Sequence, residues 1–154
     1  MRAERFPLPG LELEIDAQAG LVHQVVSAVG LSGGGHSSRL LEQLAPDRML
    51  VEFTTTLLGR PLRTVEEVTV APPTGVHYRL VSGPLPEVEE DFLILGDRPC
   101  TLRYSGWFKP NKGLRGWFDR LVVPHLYRSA VLASMRQVKG FAETRQRKSR
   151  LFSG

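Results

Sequence analysis

Few side chains in this chain of 154 residues have the types and spacing that metal binding or covalent catalysis requires. The four histidines, His23, His36, His77 and His125, show no HExxH or comparable ligand spacing, so a metal site has little support. The single cysteine, Cys100, has no nucleophile motif around it and is of the kind that usually packs as a small buried hydrophobic residue. The sequence therefore predicts no metal, no cofactor and no covalent nucleophile.

Proton transfer has four candidate side chains, namely Glu90, Tyr104, His125 and Arg128. A general acid or base must lie within hydrogen-bond reach of the group that it protonates or deprotonates. These four residues form no sequence motif, so they could act together only if the fold brought them into one enclosed site. An enzyme that moves protons without a metal is therefore one hypothesis.

Arg128 interrupts an apolar stripe between Leu121 and Val131 in the last third of the chain. A buried arginine needs a partner for its charge. That partner would be Glu90, or a carboxylate or phosphate of a bound ligand. In the alternative, Pro124 rotates the helix and Arg128 extends outward into solvent.

The composition is typical of a soluble globular domain, with 42% hydrophobic and 23% charged residues. One cysteine allows no intrachain disulfide, which suits a reducing compartment. No apolar stretch approaches the roughly 18 residues that a membrane span needs, and the N-terminal segment lacks the apolar region of a signal peptide. We expect a soluble cytoplasmic protein that is a monomer or a homodimer.

Positive charge is concentrated near the end of the chain, because residues 115–154 hold nine of the 20 Lys and Arg residues but only two of the 16 Asp and Glu residues. Such asymmetry can indicate weak contact with an anionic membrane or with RNA. The alternative is a solvated helix face followed by a flexible basic tail over residues 149–154.

The apolar pattern defines the elements that must position these side chains. Alternation of apolar and polar residues predicts a strand over about 10–16, and three- and four-residue spacings then predict a helix that ends near Gly30. Turn signals rich in Pro and Gly separate six more predicted strands, near residues 37–44, 48–58, 61–71, 74–82, 86–95 and 100–108. The first of these, SRLLEQL, could equally be a helical turn. No helix-length segment lies between residues 46 and 109, so antiparallel hairpins are expected.

From about Leu114 to Lys148 the pattern is helical, and Pro124 predicts a kink or the start of a second helical piece. The stripe that should face the sheet consists of Trp117, Leu121, Val131, Met135, Val138 and Ala142. This order predicts an α+β fold in which a curved seven-stranded antiparallel sheet wraps on one long C-terminal helix. The concave face of such a sheet must be filled by side chains or by a ligand.

This order of elements resembles the START-like superfamily, also called SRPBCC or Bet v 1-like, and most closely its polyketide cyclase/dehydrase branch, which includes the coenzyme Q-binding type. The resemblance is carried by the hairpin LLGRPLRTVEEVTVAPPTGVHYRLVSGPLPEVEEDFLIL, by the strand TLRYSGWF and by the helix end MRQVKGFAET. In that helix, Met135 and Val138-Lys139 match the branch's usual pattern of leucine, two residues, then leucine-lysine. The resemblance implies a helix-grip fold over residues 1–148 and a deep, mainly hydrophobic cavity.

The side chains that we expect around this cavity are Phe53, Tyr78, Glu90, Phe92, Tyr104, Trp117, Leu121, Arg128 and Met135. The run Gly33–Gly35 lacks the Lys-Ser/Thr pair of a phosphate-binding P-loop, and it would form either a flexible gate beside the cavity mouth or a plain connector. The leading hypothesis is binding or transport of a hydrophobic small molecule, such as a lipid, an isoprenoid quinone or a polyketide. The alternatives are a cyclase or dehydratase and a module that docks on RNA, a ribosome or a membrane.

Overall fold

The computed structural model describes residues 4–32, 36–57 and 59–152. These residues form two helices and eight strands, in the order β1 (Phe6–Pro7), β2 (Leu11–Ile15), α1 (Ala19–Ser32), β3 (His36–Ala45), β4 (Arg48–Leu57), β5 (Arg60–Ala71), β6 (Gly75–Ser82), β7 (Glu87–Leu95), β8 (Cys100–Lys109) and α2 (Leu114–Phe152). The run Gly33–Gly35, for which we expect a gate or a connector, lies outside the described residues.

All strands belong to one antiparallel sheet with the order β1-β8-β7-β6-β5-β4-β3, and β2 also pairs with β8. Strands β3 to β8 are joined in sequence as hairpins, as the short Pro- and Gly-rich breaks predict. The predicted α+β helix-grip fold is confirmed, although the sheet has eight strands rather than seven.

The eighth strand is the two-residue β1, which the alternation of apolar residues does not reveal. Pro7 and Pro9 have no backbone N–H group, so neither residue can donate to the sheet. Leu8 between them still donates its N–H to the carbonyl of Gly106 at 2.9 Å, and regular pairing resumes at Leu11. One edge of the sheet is therefore formed by β1 and β2 in two pieces.

The period of two decides which side chains of β7 and β8 face inward. On β8, Leu102, Tyr104 and Phe108 have no exposed surface, and on β7, Val88 and Ile94 are buried. Two further residues of β7 lie at the same parity as these buried ones, Glu90 and Phe92. The regular strand geometry thus places a carboxylic acid on the apolar inner face of the sheet.

The outer face of the sheet is polar and carries cross-strand ion pairs. Glu67 on β5 lies 2.8 Å from Arg79 and 3.6 Å from Arg48. On the neighbouring strands, His77 contacts Asp91 at 2.7 Å. These pairs cover the side of the sheet that faces away from α2.

The long helix α2 continues without interruption through Pro124, which therefore does not begin a second helical piece. Its 39 residues span roughly 58 Å at 1.5 Å per residue. The helix also includes residues 149–152, which the sequence assigns to the tail. No helix in the described parts of the chain combines the length and the apolar character needed to cross a membrane.

Two side chains near the end of α2 attach it to the loop that joins β2 and α1. The backbone N–H of Asp16 donates to Glu143 at 2.9 Å, and that of Gln18 donates to Gln146 at 3.0 Å. Gln146 is buried, with 7% of its surface exposed. These contacts, together with the packing of α2 on α1, hold the helix across the open side of the sheet.

Candidate ligand cavity

A cavity of about 420 Å³ lies between the inner face of the sheet and α2. Strands β4 to β7, both helices and the segment between β6 and β7 contribute side chains to its wall. Most of these side chains are apolar, and the charged ones are Glu66, Glu90, Arg115 and Asp119. The position agrees with the concave face that the sequence pattern leaves to be filled.

Aromatic rings form the wall on the sheet side. The ring of Tyr78 lies edge-on to Phe53 at 6.3 Å between centroids and edge-on to Phe92 at 6.1 Å. Phe92 in turn lies 5.2 Å from Tyr104, which is fully buried behind it. Edge-to-face pairs of this kind fix the ring orientations, so this wall has a defined shape.

The helix side of the wall consists of α2 residues at spacings of three and four. Val123, Tyr127, Val131, Met135 and Val138 all face the cavity. Met135 has no exposed surface, and its unbranched thioether side chain can adjust to an irregular ligand. This wall is therefore apolar and adaptable.

Glu90 is the first of two carboxylic acids in the cavity wall. Its Oε1 atom accepts a hydrogen bond of 2.5 Å from the hydroxyl of Tyr104. Burial raises the pKa of Glu90 to about 7, because desolvation and, more weakly, the charge of Asp91 outweigh the opposing effect of the Tyr104 hydrogen bond.

Glu66 is the second carboxylic acid, and it accepts no hydrogen bond from any residue that the structure describes. Burial raises the pKa of Glu66 to about 8, and the charge of Glu90 adds to the rise. Both residues lie deep in the protein and yet keep some accessible surface. Because both line the cavity, we assign that surface to the cavity.

The two carboxyls give the cavity both acidic and basic capacity at neutral pH. With pKa values raised to about 8 and 7, the pair retains at least part of its protons near pH 7. Burial also raises the pKa of Tyr78, Tyr104 and Tyr127, so these phenols stay neutral. A protonated carboxyl can donate a hydrogen bond, whereas a carboxylate accepts one or pairs with a cation.

One end of the cavity is formed by the first turns of α2, with Arg115, Phe118 and Asp119 in the wall. Asp119 is buried, and its Oδ2 atom accepts hydrogen bonds from the backbone and the side-chain amide of Asn111, at 3.0 and 2.9 Å. Asp119 thereby fixes the segment that leads into α2. Arg115 is exposed.

The structure brings five of the nine predicted cavity residues into the wall, namely Phe53, Tyr78, Glu90, Phe92 and Met135. Tyr104 lies behind this wall and reaches it through Glu90 and Phe92. The other three residues do not line the cavity, and all are exposed: Trp117, Leu121 and Arg128.

The phase of α2 explains why Trp117 and Leu121 are outside. The buried positions in the first turns are Gly116, Asp119 and Val123, and two of these three are not apolar side chains. A search for an apolar stripe therefore finds the large apolar residues beside them, Trp117 and Leu121. Their surfaces are 64% and 54% exposed, respectively. For Arg128, the outward orientation is the alternative that the structure supports, and the proton-transfer candidate His125 is exposed as well.

Sequence reasoning missed Glu66, and the reason is a local ambiguity. In the segment Val65-Glu66-Glu67-Val68, the two valines have opposite parity, so a period of two cannot decide which glutamate faces inward. The signal that could have found it lies further along the strand. Thr64, Glu66 and Val68 share one face, and Val68 is 2% exposed.

Metal binding has no structural support in the described residues, where no group of three or more His, Cys, Asp and Glu side chains is arranged around a common point. Cys100 is buried, its thiol lies 3.5 Å from the carbonyl of Ala17, and burial raises its pKa. The imidazole of His23 already has a hydrogen-bond partner, since its Nε2 atom lies 3.1 Å from the carbonyl oxygen of Gly75.

Comparison with known proteins gives similarity of structure without similarity of sequence. No protein-family model and no curated protein matches the chain. Among solved structures, the Zhui aromatase/cyclase from Streptomyces sp. R1128 aligns with a TM-score of 0.79 at 15% identity over 92% of this chain and 96% of that chain. A START superfamily protein from Mycobacterium smegmatis has a TM-score of 0.66 at 15% identity, covering 90% and 99% of the two chains. Ara h 8.0201 has a TM-score of 0.68 at 11% identity, covering 92% and 99%.

Proposed function

We propose that this chain, which has the START-like helix-grip fold of the polyketide cyclase type, binds or carries a hydrophobic small molecule in the cavity between its sheet and α2. The observation that carries the proposal is the cavity itself, whose volume of about 420 Å³ falls in the usual range for small-molecule sites. Most of its wall is apolar, so an apolar ligand would gain from leaving water. The few polar groups in the wall would orient the ligand.

Native mass spectrometry of protein purified from its own host, followed by solvent extraction, tests this proposal. We expect an apolar molecule bound at near-stoichiometric amount, and its mass would give its class. Protein that carries no such molecule, and that also ignores a panel of fatty acids, quinones and aromatic polyketides, would refute the proposal.

A bulky residue in the cavity should block binding without unfolding the protein. Ser134 lines the cavity, and Ala133 beside it on α2 is exposed and does not. We therefore expect Ser134→Trp to weaken binding of an apolar fluorescent probe at least about tenfold, since the indole would occupy ligand volume. Ala133→Trp is the matched control and should bind the probe as the wild type does. Equal binding by both variants would place the ligand elsewhere.

A second candidate function is proton transfer on a bound ligand, as in a cyclase or dehydratase. The observation that favours it is that Glu66 and the Glu90–Tyr104 pair both reach one apolar cavity, which suits acid–base chemistry. Exchange of the α-protons of 2-tetralone in D2O tests this function, with Glu90→Gln as the inactive variant. Exchange no faster than in buffer would count against it. His125 and Arg128 take no part in this proposal, because both are exposed.

Contact of the basic C-terminal region with an anionic membrane or RNA is a separate proposal. It predicts binding that weakens steeply as salt is added, whereas the cavity interaction should respond little.

A further inference from the structure

Glu66 and Glu90 both line the cavity from the inner face of the sheet, on the two strands that flank β6. Glu90 on β7 pairs with Tyr78 on β6, while Glu66 on β5 pairs with Leu80, two residues further along β6. The two carboxylic acids therefore flank one strand at neighbouring inward positions. The charge of Glu90 contributes to the raised pKa of Glu66, so the two carboxyls interact electrostatically.

Among the residues that the structure describes, no positive side chain forms an ion pair with Glu66 or Glu90. The polar contact to Glu90 is the neutral hydroxyl of Tyr104, and Glu66 accepts no hydrogen bond from any described residue. Buried carboxyls are normally paired, so the accessible part of a carboxyl that has no protein partner and lines a cavity is available to a ligand.

We propose that Glu66 and Glu90 together recognise the protonated nitrogen of an apolar amine held in the cavity. The apolar part of such a ligand would contact the aromatic and aliphatic wall, and its ammonium group would lie between the two carboxyls. This inference rests on the proposed function, since it identifies the chemical class of the ligand that the cavity binds.

The charges around the pair favour a cation over an anion. A ligand carboxylate would add a third acid to two that already resist ionisation, whereas an ammonium group would stabilise both in the ionised form. The titratable groups that face the pair from other elements are Tyr78 on β6, Tyr104 on β8 and Tyr127 on α2, and all three have raised pKa values. Of the charged wall residues on α2, Asp119 is bound to Asn111 and Arg115 is exposed.

A neutral ligand would be recognised less completely. A hydroxyl or carbonyl can accept a hydrogen bond from one protonated carboxyl, but it cannot compensate a negative charge on the other. Amine binding should therefore release protons from the pair, and affinity should rise with pH through the raised pKa values of about 7 and 8. This dependence ends where the amine itself loses its proton.

The test is a set of three probes that share one naphthalene ring: 2-(1-naphthyl)ethylamine, 2-(1-naphthyl)ethanol and 1-naphthaleneacetic acid. Isothermal titration at pH 7.5 should show the amine binding about tenfold or more tightly than the alcohol, because a hydrogen bond between charged groups is stronger than one between neutral groups. The acid should bind most weakly. Titration in two buffers of different ionisation enthalpy should show release of up to about one proton per amine bound.

Glu66→Gln combined with Glu90→Gln should remove the preference for the amine, leaving the amine and the alcohol within about twofold of each other. The matched control is Glu67→Gln combined with Glu89→Gln, which changes the adjacent residues on the opposite face of the same strands. That control should keep the wild-type preference. The comparison of probes on the wild type needs no variant, so the test remains decisive even where a variant folds poorly.

The outcomes separate this inference from the proposed function. If the amine and the alcohol bind equally well to the wild type, or if the acid binds best, the carboxyl pair is not an ammonium site, but the cavity still binds apolar ligands. If none of the three probes binds, the inference fails, and the separate search for a host ligand decides the proposed function. Selectivity for the amine that persists in the Glu66/Glu90 variant would also overturn the inference.

Discussion

At the scale of single residues, Glu66 and Glu67 are neighbours on β5 with opposite surroundings. Burial raises the pKa of Glu66 to about 8, while the hydrogen bond and charge of Arg79 lower the pKa of Glu67. The folded protein therefore holds a proton on Glu66 more tightly than the unfolded chain does, and it holds one on Glu67 less tightly. The two side chains should give opposite dependences of stability on pH.

We predict that the folded state loses stability as pH rises from about 5 to 8. Glu66 and Glu90 stabilise it fully below their ordinary pKa of 4.5, and this contribution is lost as pH rises through about 7 and 8. Each group contributes up to about 1.4 kcal/mol per pH unit in that window. Urea unfolding at several pH values measures the slope, which Glu66→Gln should reduce. A wild type of constant stability over this range would contradict the prediction.

Glu67→Gln is the control for this experiment. Because the pKa of Glu67 is lowered, its contribution is present above pH 4.5 and is lost as pH falls below that value. The variant should therefore leave the slope of stability against pH between 5 and 8 unchanged and lose only part of the dependence at acid pH.

The sequence predicted that Glu90 faces inward, because its strand alternates regularly. Which of the adjacent Glu66 and Glu67 faces inward could be decided only from the structure.

At the scale of elements, a glycine sets the start of α2. A Cβ atom on Gly116 would lie 1.8 Å from the carbonyl oxygen of Asn111, so the backbone would have to move. We predict that Gly116→Ala destabilises the protein by about 1–3 kcal/mol although alanine favours helix. Gly140 lies in the same helix, and a Cβ atom there would have no other atom within 4 Å. Gly140→Ala should therefore raise the free energy of unfolding by about 0.5–1 kcal/mol. Thermal unfolding compares the two, and a stabilised Gly116→Ala would refute the packing argument.

The same glycine shows what periodicity can and cannot predict for an element. The sequence predicted the long helix and its C-terminal stripe, because Val131, Met135, Val138 and Ala142 are apolar and buried. It failed in the first turns, where the buried face contains Gly116 and Asp119, because their contacts are with Asn111 rather than with apolar neighbours. The sequence also did not reveal the two-residue β1, because prolines interrupt its alternation of apolar and polar residues.

At the scale of the whole molecule, the fold follows from the order of the elements, whereas the position of the end of α2 depends on individual polar contacts. The hairpins and the long helix can be predicted because each has a strong period and clear breaks. The attachment of the helix end depends on Glu143 and Gln146, whose polar side chains give no apolar signal. We propose that the domain includes these attachments and that residues 149–154 form a tail dispensable for stability.

Two truncations test that boundary. A chain that ends at Lys148 keeps both attachments, and its free energy of unfolding should stay within about 0.5 kcal/mol of the full chain. In a chain that ends at Ala142, the backbone N–H groups of Asp16 and Gln18 lose their acceptors, and the helix end no longer covers the β2–α1 loop. We expect a loss of about 1–3 kcal/mol, since each hydrogen bond contributes about 1 kcal/mol. Gln146→Ala at full length should account for part of this loss.

Equal stability of the two truncated chains would show that the domain ends before Glu143. A large loss of stability in the chain that ends at Lys148 would instead place residues 149–154 inside the domain.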